Sequence, residues 1–248
     1  MDPADFYTGI VVDAYARLRS TRFDPSPYAD LVARSGGPAL EIGCGDGDPL
    51  LDLVAAGLNV EGVDSSLDMV VRCRERARER GLTVTVHHQR AEDLELPGRY
   101  ASVYFAGPTF NLLPDDAAAL RTLASIRSHL ASGGIALIPL WVPDPTSAAE
   151  LGVVRTARDE AGVELRFTPL SETYDAAGRT RVTRCRYERV TTSGTEVADR
   201  EWVLHWHTPS GFRRLCGQAG LDVVALRTDD GGPVTESATS FTAELVSG

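Results

Sequence analysis

Three glycines at alternate positions, Gly43-Cys44-Gly45-Asp46-Gly47, stand between a short apolar run at 39–42 and a stretch of helical periodicity at 49–56. Glycine at this spacing lets the backbone turn sharply out of a strand into a helix. It also lets a ligand lie against main-chain N–H groups at the helix start. A strand that feeds a helix in this way needs parallel neighbours, and the chain supplies them. Apolar runs at 59–63, 84–88, 102–105 and 135–140 alternate with helical stretches at 67–80 and 117–130. Such alternation implies a parallel sheet built from right-handed crossovers.

The pattern breaks after Trp141. Pro143 and Pro145 interrupt it, a short helix is expected to run to Arg158, and three runs at 163–174, 179–191 and 195–207 then alternate as strands. The segments 175–178 and Ser193-Gly194 between them carry turn residues, so the unit reads as an antiparallel meander. A helix at 209–219 and a strand at 221–227 resume the first pattern. The last strand, 240–246, follows too closely for a helical crossover and should run antiparallel. Ahead of the sheet, residues 1–36 read as amphipathic helix, with Tyr7, Ile10, Val11, Tyr15 and Leu18 at helical spacing. The expected division is a helical lid at 1–36, a core at 37–141 and 208–248, and an inserted cap at 142–207.

Charge narrows the chemistry. The net charge is −10, and all 25 cationic side chains are arginine. Schiff-base lysine chemistry and a P-loop lysine are therefore excluded, and no guanidinium serves as a base at ordinary pH. The acidic balance argues against a nucleic-acid or anionic-membrane partner. Residues 151–206 hold nine arginines and nine acids, so the deficit lies in the core. The four cysteines have no C-x-x-C pairing and read as reduced thiols, with no metal site expected. The first residues lack a basic n-region and no apolar run is long enough to span a bilayer, so a cytoplasmic protein is expected. A homodimer is compatible with all of this.

The glycine turn is G-x-G-x-G and not the G-x-G-x-x-G of dinucleotide binders. Glu41 precedes it and would repel a pyrophosphate while suiting a cationic amine. Asp64, at the end of the second strand and 21 residues past Gly43, is placed to accept hydrogen bonds from a ribose diol. Met69, in the helix opened by Ser65-Ser66, and Glu92, in Arg90-Ala91-Glu92, suit an adenine. A ligand with an amino-acid end and a nucleoside end fits these features.

Taken in order and spacing, these motifs resemble the class I S-adenosylmethionine-dependent methyltransferases over roughly residues 38–140. The segment Tyr15…Arg22-Phe23-Asp24…Tyr28 is similar to the lid of bacterial small-molecule members, and the meander to the cap of amino-sugar N,N-dimethyltransferases. The resemblance implies an α/β fold: a Rossmann-like, mostly parallel seven-stranded sheet with a reversed last strand, plus an inserted antiparallel β cap. It implies S-adenosyl-L-methionine as cofactor and methyl transfer to an amine or hydroxyl of a small molecule, in bacterial secondary metabolism. The alternative within the same fold is cofactor binding without methyl transfer, for cyclisation or no catalysis.

Carried over by position, Glu41, Gly43, Gly45 and Gly47 would hold the methionine moiety, with Asp46 beside it. Asp64 and Ser65 would take the ribose, while Met69, Ala91 and Glu92 frame the adenine. Ala106 and Arg22 complete the implied cofactor contacts. Two departures stand out: Asp46 where most relatives have threonine, and Tyr100-Ala101-Ser102 where many carry an acid. The segment after the fourth strand, Ala106-Gly107-Pro108-Thr109-Phe110-Asn111, also lacks the Pro-Pro-aromatic pattern of base-amino methyltransferases. For a catalytic base the best sequence candidates are His205 and His207, at the end of the meander, with Tyr15 from the lid. Strand alternation puts Glu201, His205 and His207 on one face and Trp202, Leu204 and Trp206 on the other. The polar face is expected to look into the site.

Overall fold

The computed structural model describes residues 3–18, 23–159 and 161–248. It opens with three helices, α1 (Pro3–Phe6), α2 (Ile10–Leu18) and α3 (Ser26–Ser35). Gly36 ends α3 in the left-handed region, φ +67°, and its amide bonds the carbonyl of Val32.

The alternating core follows as β1 (Ala39–Ile42), α4 (Leu50–Ala55), β2 (Val60–Asp64), α5 (Leu67–Glu79), β3 (Val86–His88), β4 (Tyr100–Phe105), α6 (Asp116–His129) and β5 (Leu130–Trp141). The cap comprises β6 (Arg155–Arg158), β7 (Glu164–Asp175), β8 (Thr180–Thr191) and β9 (Gly194–His205). The chain returns to the core through α7 (Pro209–Gln218), β10 (Leu221–Arg227) and β11 (Ser240–Ser247). Helix starts are fixed by side-chain caps: Ser66 accepts from the amide of Met69, Asp115 from Ala118, and Thr208 from Gly211.

The core sheet has seven strands in the order β10-β11-β5-β4-β1-β2-β3. Strands β1 to β5 pair in parallel, and β11 is antiparallel to both β5 and β10, as the short final connection requires. Alternation along β4 divides the core. Val103 and Phe105 pack with Leu123 and Ile126 of α6 and Phe212 of α7, while Tyr104 packs on the other face with Leu31, Leu50 and Val70. Strand order reverses between β1 and β4. In open sheets of this kind ligands bind outside the carboxyl ends of the strands at that reversal.

The cap differs from expectation in one element. Residues 148–152 form a turn, and the expected helix gives way to β6, paired antiparallel to β7 with Arg155 opposite Phe167. Gly152 at φ +79° breaks a helix there, and the β-branched Val153, Val154 and Thr156 favour the extended chain. The lid and cap share a third apolar cluster, in which Phe6, Ile10, Val11 and Ala14 meet Leu165, Cys185 and Tyr187. An ion pair between Asp13 and Arg189 closes the same contact. Helix α2 buries four apolar side chains, and it packs mainly on the cap sheet, with a smaller contact to α5 of the core. No helix among the described residues is long and apolar enough to cross a membrane.

Candidate active site

A cavity of about 430 Å³ opens at the carboxyl ends of β1, β2 and β4. Its floor is the glycine turn, where Gly43 and Gly45 both have positive φ (+71° and +53°). A Cβ on Gly43 would lie 2.5 Å from Thr109 Cγ2, whereas the nearest atom to a Cβ on Gly45 is Tyr15 Cε1 at 3.9 Å. The first glycine thus permits the loop after β4 to close on the turn, and the second leaves room over it. Gly47 also lies at positive φ but belongs to the packing below, where a Cβ would strike Leu51 and Cys73.

Asp64 ends β2 at the cavity wall. One carboxylate oxygen accepts from the amide of Gly45 at 2.8 Å and the other from Ser66 at 2.8 Å. The Ser65 amide also bonds it, and since a carboxylate offers about four acceptor positions, roughly one remains for a ligand. Burial raises the pKa of Asp64, and the amide hydrogen bonds partly offset this. Ser65, Met69, Ala91 and Glu92 line the same end, with Glu92 paired to Arg90 at 2.9 Å. The described charged residues of the wall are three acids (Asp64, Glu92, Glu201) and two arginines (Arg90, Arg155), an excess that suits a cationic ligand.

The lid and cap form the roof. Tyr15 and Tyr7 meet edge to face at 5.5 Å and both line the cavity, as does Phe23. From the cap come Phe167 and Tyr187, opposite one another across β7 and β8, with Trp202 of β9. Trp141, at the end of β5, adds a wall from the core. Between the two tryptophans lies the guanidinium of Arg181, 4.9 Å from the ring of Trp141 and 5.7 Å from that of Trp202. It donates to the carbonyl of Asp144 in the core–cap linker, and Glu172 lies 3.7 Å away. Glu172 in turn accepts from the amide of Thr146 in the same linker at 2.7 Å.

Several expected contacts stand elsewhere. Glu41 is fully buried behind the glycine turn and does not line the cavity. Its Oε2 accepts from Tyr104 at 2.8 Å, its Oε1 has no partner, and burial pushes its pKa well above the ordinary carboxylate value. Asp46 is turned away to Arg76, at 2.5 Å, which neutralises the charge that the sequence put beside the ligand. Ala106 is buried beneath the wall, where its carbonyl accepts from Thr109, and Arg22 lies outside the described residues.

His205 and His207 are not at the cavity wall: of the three polar residues expected to face the site from β9 and its end only Glu201 lines it, while Trp202 and Leu204 of the opposite face do. Trp202 packs beside the lid–cap cluster and, with Leu204, lines the cavity. Alternation puts His205 on the opposite face, where it is itself buried. His205 Nε2 meets Asp116 Oδ1 at 3.0 Å, and His207 packs against Phe110 and Phe212. Burial lowers the pKa of both, that of His207 to about 3. Sequence reasoning passed over the wall formed by Thr109, Leu112 and Pro114 after β4, which carries no periodic signal. Phe167 and Tyr187 were legible in principle, because alternation puts them on one face of the meander.

Residues 39–134 match the family model described as a methyltransferase domain. These residues are a methyltransferase domain. Solved structures share the fold over the full length. The CcbJ methyltransferase from Streptomyces caelestis is 21% identical and aligns over 98% of each chain with a TM-score of 0.76. CalS10, an amino pentose methyltransferase from Micromonospora echinaspora solved with S-adenosylmethionine bound, is 22% identical over 96% of this chain and 97% of its own, TM-score 0.67. DesVI from Streptomyces venezuelae is 20% identical over 100% and 99%, TM-score 0.67. At these identities the likeness is one of fold. The cavity fits S-adenosylmethionine on the geometry above: a side-chain-free floor at Gly45, a carboxylate with acceptor capacity at Asp64, and a net acidic wall.

Proposed function

We propose that the protein methylates an amine nitrogen of a small molecule, using S-adenosyl-L-methionine, in bacterial secondary metabolism. The observation that carries this reading is the make-up of the acceptor end of the cavity. Trp141, Phe167, Tyr187 and Trp202 line it with one acid, Glu201, and no histidine stands among its described lining residues. Burial raises the pKa of Tyr7 and Tyr187, which keeps both phenols protonated and so unable to take up a proton. An amine needs only to arrive neutral, whereas a hydroxyl gains more from a positioned base. The cofactor, when bound, supplies an activated methyl group on a cationic sulfur. The protein's share of the work is alignment and exclusion of water.

In this reading Asp64 holds the ribose, Met69, Ala91 and Glu92 frame the adenine, and the Gly43–Gly45 floor receives the methionine end. Tyr15 and Tyr7 close over the sulfonium through their ring faces. A cytoplasmic setting agrees with the lack of a membrane-spanning helix among the described residues. The amino pentose acceptor class of CalS10 supports the choice of nitrogen. The test is incubation with methyl-deuterated cofactor and a panel of primary and secondary amino sugars, matched alcohols and phenols, followed by mass spectrometry. Label on nitrogen is the expected result. Label confined to oxygen, or none on any acceptor while the cofactor binds, would overturn the reading.

A further inference from the structure

Outside the cavity, three metal-ligating side chains converge from distant parts of the chain. Asp116 is the first residue of α6, His205 ends β9, and His207 lies in the segment before α7. His205 Nε2 is 3.0 Å and His207 Nδ1 is 3.5 Å from the same oxygen, Asp116 Oδ1. One ligand atom from each residue lies within 4.8 Å of the other two. Tetrahedral ligands at about 2.0–2.1 Å from a zinc ion stand roughly 3.3–3.4 Å apart, between the two short separations seen here. His205 Nδ1 has no partner, so no hydrogen bond of its own opposes a small rotation of that ring. The imidazoles are buried, while the Asp116 side chain is 53% exposed, which gives an ion access and leaves room for a water ligand.

The cluster already holds a cation. Arg179 donates from Nη2 to Asp116 Oδ2 at 2.5 Å and from Nη1 to Trp206 O at 3.3 Å. Its Nη1 also lies 3.2 Å from His207 Nδ1. A guanidinium only donates, so His207 Nδ1 presents a lone pair to it. Arg179 thus acts as a tethered cation between a carboxylate and an imidazole. It is partly exposed and can swing into solvent. It also sits at φ +56°, a conformation unfavourable for a non-glycine residue.

We propose that Asp116, His205 and His207 form a binding site for a divalent transition-metal ion such as Zn2+, which competes with the Arg179 guanidinium. Two imidazoles and one carboxylate favour zinc, cobalt or nickel over calcium or magnesium. Asp116 belongs to the core, and His205 and Arg179 to the cap. An ion in place of the guanidinium would tie the end of β9 to α6 and release the turn between β7 and β8. Because no member of the cluster lines the cavity, binding is measurable apart from methyl transfer.

The test uses the untagged full chain, titrated with Co2+ by visible absorption and with Zn2+ by calorimetry. Removing the competing cation in Arg179→Ala should tighten binding of a single ion by roughly tenfold or more relative to wild type. Arg179→Gly suits the positive φ, serves as the second variant if the alanine protein folds poorly, and should show the same gain. Adding His207→Ala to either variant should abolish the gain and the tetrahedral Co2+ spectrum. The proposal is overturned if neither Arg179 variant binds more tightly than wild type. It is equally overturned if binding survives loss of His207, which would place the ion elsewhere.

Discussion

Asp64 accepts a hydrogen bond from the amide of Gly45 at 2.8 Å, so the acid that ends β2 fixes the glycine turn that follows β1. One carboxylate shapes the cavity floor and faces the cavity.

Substitution of Asp64 should therefore be felt twice. Asp64→Ala removes the acceptor for Gly45 and Ser66 and the anchor proposed for the ribose, where hydrogen bonds to a charged group contribute about 1.5–3 kcal/mol each. Calorimetry with S-adenosylmethionine should show affinity falling by roughly tenfold to a hundredfold or more. Near-wild-type binding would count against the assignment.

Glu41 sets a pH dependence. Its folded pKa is raised by burial, so between the ordinary carboxylate value and that raised value the native state holds more protons than the unfolded chain. Stability from this group is present below its unfolded pKa and is lost as pH rises through the folded one. Glu41→Gln has an amide that can still accept from Tyr104 and never ionises. In cofactor-free protein, thermal melts from about pH 5 to 8 should show the variant gaining on wild type as pH rises, by at most about 1.4 kcal/mol per unit. A parallel pair of curves would refute the account.

The Gly43 position combines two separable costs. Gly43→Ala meets the left-handed backbone cost, about 1–2 kcal/mol, and the clash with Thr109 Cγ2. Adding Thr109→Ser removes that methyl. Urea melts of the four proteins in this cycle should give the double variant back the clash and not the backbone cost. Strict additivity would show that the two residues do not press on each other.

Arg181 and Glu172 are buried together under the cavity's tryptophans. Arg181→Met leaves Glu172 without its cation, and breaking a buried pair costs about 3–5 kcal/mol. Loss of the guanidinium between Trp141 and Trp202 should also shift tryptophan emission. Combining it with Glu172→Gln, which still bonds Thr146, should recover part of the stability. No recovery would mean that Arg181 acts through packing alone.

Much of the core was legible because its signals are local. β1 and β10 coincide with the sequence expectation, and the other core strands and helices differ mainly at their ends, where a cap such as Ser66 or a cross-strand register decides the boundary. The glycine turn, Asp64 and the inserted meander follow from spacing and turn chemistry. The reversed last strand follows from the length of one connection.

Orientation and long-range convergence were not legible. Alternation along β9 states that Trp202 and His205 face opposite ways, but which face is buried depends on the lid's Phe6 and Val11 packing against the cap. That contact joins residues nearly two hundred positions apart. The same holds for Glu41 and Asp46, whose partners Tyr104 and Arg76 come from other elements, and for Asp116, which reaches His205 only once cap and core are docked. The sequence by itself determined most of the elements, their order and the glycine turn, since these rest on nearest-neighbour backbone preferences and periodicity. The tertiary structure alone decided which polar groups line the cavity and which are buried beside one another. That choice is made by the apolar surfaces competing for burial, and polar groups take the partners left to them.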